Sequence, residues 1–112
     1  MRFTVSMKEN RDFRRLYATG KTSVDGLLAV YARKNRVGCT RLGITVGTKL
    51  GGAVVRNRVR RRIREAYRLE EPNLRMGYDI VVVARKSAAD ASYARLRQSL
   101  LKAMGKLGIS GV

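Results

Sequence analysis

Apolar positions along the chain follow two rhythms, one helical and one of period two, and together they mark six elements. The first is a helix over residues 9–19, where Phe13, Leu16 and Tyr17 share one face and Gly20 is a natural terminator. Ser6 with Glu9 forms a candidate capping box, and Asn10 is an equally good cap. Residues 28–32 read as a strand apolar on both faces, with Tyr31 as its large aromatic. Residues 41–47 alternate: Leu42, Ile44 and Val46 point one way, and Arg41, Gly43 and Thr45 the other. The intervening 35–40 stretch, with Gly38, reads as a longish turn, which predicts an antiparallel hairpin.

Gly51 and Gly52 interrupt the chain before a second helix, which starts near Ala53 and stops before Pro72. It is roughly 27 Å long at 1.5 Å per residue. Val55, Val59, Ile63, Ala66 and Tyr67 form its buried stripe. Residues 78–85 are a third strand whose Ile-Val-Val-Val-Ala run predicts burial on both faces. A loop over 87–91 leads to a last helix capped by Asp90 or Ser92 and ending near Leu107. Its inner face is Leu96, Leu100 and Met104, with Leu101 and Leu107 beside them. The order α-β-β-α-β-α predicts an α+β sandwich of helices against a small sheet, one domain spanning residues 1–112.

Charge changes the picture. Lys and Arg number 25 against 8 Asp and Glu, a formal +17, while a 45% hydrophobic content is that of a folded chain rather than a disordered one. Self-repulsion on this scale calls for a polyanionic partner, nucleic acid first and a membrane surface second. Residues 1–5 run directly into charged positions, which excludes a secretory leader. The longest apolar runs, 27–32 and 80–84, are too short to span a bilayer. A membrane-surface helix would need apolar residues free opposite its arginines, whereas Val55, Val59 and Ile63 are expected in the core. Cys39 is the lone cysteine, so no intrachain disulfide forms, which fits a cytoplasmic protein.

Catalytic chemistry is poorly provided for. There is no histidine, no paired-carboxylate motif with a metal role, and no phosphate loop of the Walker type. Binding chemistry is concentrated on the second helix, in Arg56-Asn57-Arg58-Val59-Arg60-Arg61-Arg62-Ile63-Arg64 and Arg68. Guanidinium forks pair two donors with a phosphate, and Asn57 adds an amide suited to a base edge or a 2′-hydroxyl. Only Glu65 opposes these cations before the helix end. Phe13, Tyr17 and Tyr31 either wall a groove that stacks on unpaired bases or are ordinary core residues, and periodicity alone favours the core.

The run from Lys49 to Glu65, with its Arg-Asn-Arg and following basic positions, resembles the signature of the bacterial ribonuclease P protein subunit. Asp12-Phe13 with Tyr17 and Gly20, Ala84-Arg85-Lys86, and the leucine-rich last helix extend the resemblance over residues 8–107. It implies an α/β sandwich with a left-handed β-α-β crossover, an exception to the usual hand. It also implies a 1:1 ribonucleoprotein of one protein monomer and a large catalytic RNA, which removes the 5′ leader from precursor tRNA. In that family the RNA hydrolyses with magnesium ions, and the protein, itself without an assigned cofactor or metal, improves substrate and metal affinity.

By the same resemblance, Arg56, Asn57, Arg58, Arg60, Arg61, Arg62, Arg64 and Arg68 contact the catalytic RNA. Phe13, Tyr17 and Tyr31, with Ala29 and Ala84 on the floor and Arg85 and Lys86 beyond, form a cleft for the single-stranded leader. Three places depart from the family pattern. Gly47-Thr48-Lys49 keeps only the last lysine of a Ser-Lys-Lys run, Glu9 stands at a commonly basic position, and residues 1–7 are less basic than usual.

Overall fold

The computed structural model describes residues 3–110; Met1, Arg2, Gly111 and Val112, the ends of the 1–112 domain and of the stretch read for a leader, lie outside the described residues. The strands are β1 (Thr4–Ser6), β2 (Lys21–Val24), β3 (Leu28–Lys34), β4 (Thr40–Val46) and β5 (Tyr78–Ala84). The helices are α1 (Asn10–Thr19), α2 (Ala53–Glu70) and α3 (Tyr93–Lys106), with single-turn 3₁₀ segments at Thr48–Leu50, Glu71–Asn73 and Lys86–Asp90. The last of these replaces the loop expected over 87–91.

One five-stranded sheet holds them in the order β1-β4-β5-β3-β2. β5 lies at the centre, parallel to β4 and antiparallel to β3, as a run apolar on both faces requires. The expected hairpin between the strands at 28–32 and 41–47 is therefore not formed, because β5 inserts between them. Period-two patterning assigns faces but carries no label for the partner strand. The turn after β3 instead bonds to the approach to β5, with Asn35 N donating to Gly77 O.

β1 and β2 had no counterpart in the six predicted elements. Both are short, mostly exposed edge strands, and β2 opens on a lysine; edges bury too little to leave an apolar rhythm. β1 covers β4 only from Thr40 to Leu42. It is fastened to the end of α2: Thr4 Oγ1 donates to the buried Glu71 at 2.5 Å and meets Tyr67 Oη at 2.8 Å. Burial of that phenol pushes its pKa up to about 12. Since Ser6 belongs to β1, no capping box forms. Glu9 occupies the cap of α1 without a side-chain bond to the helix backbone, its carboxylate pairing instead with Arg11 at 2.8 Å, and Asn10 is the first helical residue. On α3 the cap is Ser92, which accepts from Arg95 N at 3.2 Å, and not Asp90.

The sheet separates two apolar clusters. Leu28, Val30, Ala32, Leu42, Val46, Ile80, Val82 and Ala84 face α2 and α3, meeting Val59, Ile63, Ala66 and Tyr67 of the former and Leu96, Leu100 and Met104 of the latter. The opposite face is smaller: Met7, Leu16 and Val81 pack beneath α1, with Phe13, Tyr31 and Val83 partly buried around them. α2 connects β4 to its parallel neighbour β5, so the arginine helix is the crossover of a β-α-β unit.

Candidate nucleic-acid interface

The arginines of α2 divide by what they touch. Arg58 and Arg62 bend toward the segment after β5, donating from Nη2 to Ala89 O at 3.2 Å and from Nη1 to Ala91 O at 2.9 Å. Arg60 donates to Asn57 Oδ1 at 3.2 Å, and Arg68 forms a two-pronged pair with Glu65 at 3.0 and 2.6 Å. Arg56, Arg61 and Arg64 have no side-chain partner among the described residues, and the buried Nε atoms of Arg56 and Arg58 donate to nothing. The helix thus presents an outer face of Asn57, Arg61 and Arg64, flanked by arginines that also brace the fold. Arg60, Arg64 and Arg68 further line a groove of about 540 Å³ beside β1 and the outer edge of β4, and Phe13 closes its far side.

The second surface lies on the α1 face. Phe13 lies over Gly43, where an added Cβ would come within 2.6 Å of two ring carbons, so glycine is what lets the ring reach the sheet. Tyr17 meets Tyr31 edge-on, with centroids 5.0 Å apart and planes at 80°, and its hydroxyl lies 3.3 Å from Thr45 Oγ1. Phe13 and Tyr31 are half-buried against the small core, whereas Tyr17 is 41% exposed and meets that core through the Tyr31 ring.

The floor differs from expectation. Ala29 is on this face, opposite Val83 in the register. Ala84 has the parity of Ile80 and Val82 and is buried in the main core on the other face, so it does not floor this cleft. Val83 and Gly43 take that place. The alternation within β5 held the signal: a strand cannot turn consecutive residues to one side. Arg85 donates from Nη1 to Asp25 O at 2.6 Å and from its backbone to Leu27 O at 2.8 Å, fastening the β2–β3 turn, while Lys86 is exposed.

A cluster that sequence reasoning missed sets the position of α1. Arg41 donates from Nε and Nη2 to the two oxygens of Asp79 at 2.8 and 2.7 Å, and its Nη1 reaches Asp12 of α1 at 3.4 Å. Asn35 Nδ2 adds a 2.9 Å bond to Asp79. Burial raises the Asp79 carboxyl, but the Arg41 fork and the Asn35 amide outweigh it and hold the group below its usual range. The same bond raises Arg41. Arg41 shares its strand face with Gly43 and Thr45; a cation turned onto an apolar sheet face demands a counter-charge, and that was the available clue.

Among the described residues, no three or more His, Cys, Asp or Glu side chains gather as a metal site, and no helix is long and apolar enough to cross a membrane. What the site offers is cations for phosphates and rings for bases.

The sequence model of the Ribonuclease P family matches residues 1–108. The chain is 41% identical over 104 residues to the ribonuclease P protein component of Clostridium botulinum, covering 92% of this chain and 94% of that one. It is also 41% identical over 108 residues to that of Clostridioides difficile, covering 96% and 95%. The ribonuclease P protein of Staphylococcus aureus superposes with a TM-score of 0.84 at 32% identity, covering 95% of this chain and 97% of the other. That of Thermotoga maritima gives 0.78 at 33%, covering 87% and 92%. The chain therefore belongs to the ribonuclease P protein family, whose members partner an RNA subunit in a tRNA-processing endoribonuclease.

Proposed function

We propose that this chain seats on its catalytic RNA through α2 and holds the 5′ leader of precursor tRNA against the α1 face, leaving hydrolysis to the RNA and its magnesium ions. The observation that carries the reading is the placement of Phe13 and Tyr17 on α1, side by side with Tyr31 over a floor of small residues. Half-exposed rings stack on bases with little sequence preference, as a subunit acting on many precursors requires. Asn57, Arg61 and Arg64 supply the phosphate and sugar contacts for the other partner, with Arg56, Arg60 and Arg68 at the flanks. Arg58 and Arg62 serve that docking partly by holding the helix in place.

The protein contributes by positioning. Holding the leader fixes the scissile bond relative to the RNA and lowers the entropic cost of reaching reactive geometry. Clustered cations also offset repulsion between two RNAs, so fewer magnesium ions are needed for assembly. The working unit is a cytoplasmic 1:1 complex, with residues 1–112 acting as one domain.

The test uses the purified protein, its catalytic RNA and labelled precursor tRNA at low magnesium. The protein tightens precursor binding and stimulates cleavage, and Phe13→Ala or Tyr17→Ala weakens binding of leader-bearing tRNA while sparing mature tRNA. No effect of the wild-type protein would refute the reading. Equal losses for both tRNAs would return the rings to a purely structural role.

A further inference from the structure

A second polar pocket lies away from both surfaces. It has a volume of about 540 Å³ and lies between the β2–β3 turn, the 3₁₀ segment after β5, and α3. Gly26 forms one wall, Ser87 another, and Arg95, Gln98, Ser99 and Lys102 project from α3. Positions 95, 98, 99 and 102 recur on one helical face, so the two cations bracket two neutral hydrogen-bonding side chains.

The wall is rigid. Asp25 Oδ1 accepts from Leu27 N at 2.8 Å and Leu28 N at 2.9 Å, while Oδ2 accepts from Ser99 Oγ at 2.5 Å. Arg85 ties the same turn from the other side through Asp25 O. The one carboxylate at the pocket is thereby engaged in holding the turn. No hydrogen bond or ion pair occupies the Arg95 guanidinium or the Lys102 ammonium among the described residues, and both residues are exposed. A pre-formed polar notch with two cations outside any direct ion pair, Lys102 drawn to the Asp25 charge at longer range, and with a free amide and a free hydroxyl suits a phosphodiester with its neighbouring ribose or base edge.

Position identifies which RNA. Arg97 reaches Glu70 of α2 at 3.7 Å, which marks the side of α3 turned toward α2. Arg95, Ser99 and Lys102 occupy the other side, away from the face on which α2 presents its arginines. The turn wall, in contrast, leads directly into β3, where Ala29 begins the cleft floor three residues after Gly26. α3 packs on the sheet face opposite the cleft, and the β2–β3 turn lies at the sheet end between them, so an RNA strand leaving the cleft at its Ala29–Val83 end reaches this pocket by passing around that turn.

We infer that the pocket between the β2–β3 turn and α3 is a second leader subsite, where Arg95 and Lys102 take a phosphodiester and Gln98 and Ser87 take an adjacent ribose or base edge. It rests on the proposal that the α1 cleft holds the leader, and it extends that contact to nucleotides farther from the cleavage site.

The test is binding of precursor tRNAs with leaders graded from short to long by the assembled ribonucleoprotein. Arg95→Ala/Lys102→Ala weakens long-leader precursors roughly tenfold and makes their salt slope shallower by about one unit per cation, with short-leader precursors and mature tRNA unaffected. Arg95→Lys/Lys102→Arg, which keeps both charges, restores most of the loss. Equal affinity of the double alanine variant and wild type at every leader length overturns the subsite. So does a loss that is the same for mature tRNA, or a loss in binding the catalytic RNA alone, which would assign the pocket to the other RNA. If the wild-type protein itself gives no preference for leader-bearing tRNA, the cleft reading fails first, and the two failures are distinguishable.

Discussion

Gly43 offers a sharp test of how the cleft is built. In Gly43→Ala, the new Cβ stands 2.6 Å from Cε1 and Cζ of Phe13 and 3.4 Å from Cγ2 of Val81. Carbon atoms rest at about 3.5–4.0 Å, so the ring must retreat by about 1 Å. It cannot carry its helix along easily, because Asp12, the preceding residue, is held by Arg41. Overpacking of this kind costs about 1–3 kcal/mol, and removing a strand glycine returns about 0.5–1 kcal/mol. A net loss of about 1–2 kcal/mol lowers Tm by roughly 5–10 °C in a domain of this size.

The assay is urea unfolding of the free protein followed by far-UV circular dichroism at fixed ionic strength. The diagnostic measurement is the same substitution in a Phe13→Ala background, where the methyl group keeps only its ordinary contact with Val81 at 3.4 Å. There it is neutral or stabilising, a coupling of about 1–2 kcal/mol between the two positions. A wild-type midpoint for Gly43→Ala alone, or an equal loss in both backgrounds, would refute the account of the ring seated on the glycine.

Three other outcomes are expected. Asp79→Asn lowers stability at pH 7 by about 1–3 kcal/mol, and because the folded carboxyl lies below its ordinary value of 3.8, the difference starts to shrink once pH falls below 3.8 and is lost as pH passes through the lower folded value; urea midpoints at pH 7 and pH 3 check this, and a constant gap at both would contradict it. Tyr67 shifts from 10.0 to about 12 on folding, so its stabilising contribution is complete below pH 10 and lost as pH rises through 12; Tyr67→Phe blunts alkaline unfolding in that window, read by ultraviolet absorbance with circular dichroism. Arg58→Ala lowers the Tm of the free protein, whereas Arg61→Ala leaves it within about 0.5 kcal/mol of wild type and instead makes the salt slope of catalytic-RNA binding shallower by about 0.9; the reverse assignment of effects would overturn the division of the helix.

Much of the fold was legible where one physical demand dominates. α2 was readable because Gly51-Gly52, a helical apolar stripe and Pro72 all point the same way. β5 was readable as a strand because its apolar run is short and bounded. Pairing was not readable, since the insertion of β5 between β3 and β4 depends on the whole core rather than on either strand. β1 was invisible for another reason: its place depends on Thr4 meeting Glu71 and Tyr67, more than sixty positions away. At the candidate site, residue types carried the arginine surface and the rings, but parity within β5 moved Ala84 off the cleft. The Asp12–Arg41–Asp79 cluster unites three elements, and no local pattern announces it.

β4 is left unfinished on one side: beyond Leu42 no strand pairs with its outer edge among the described residues. An open edge invites a second chain to add a strand. Here Arg60 and Arg64 stand over that edge, and two copies approaching it bring like charges together. The protein's colloidal stability is therefore electrostatic in origin and depends on ionic strength. Salt that loosens its grip on RNA also lifts the repulsion that keeps free copies apart, so the subunit is best protected from self-association when RNA covers that face.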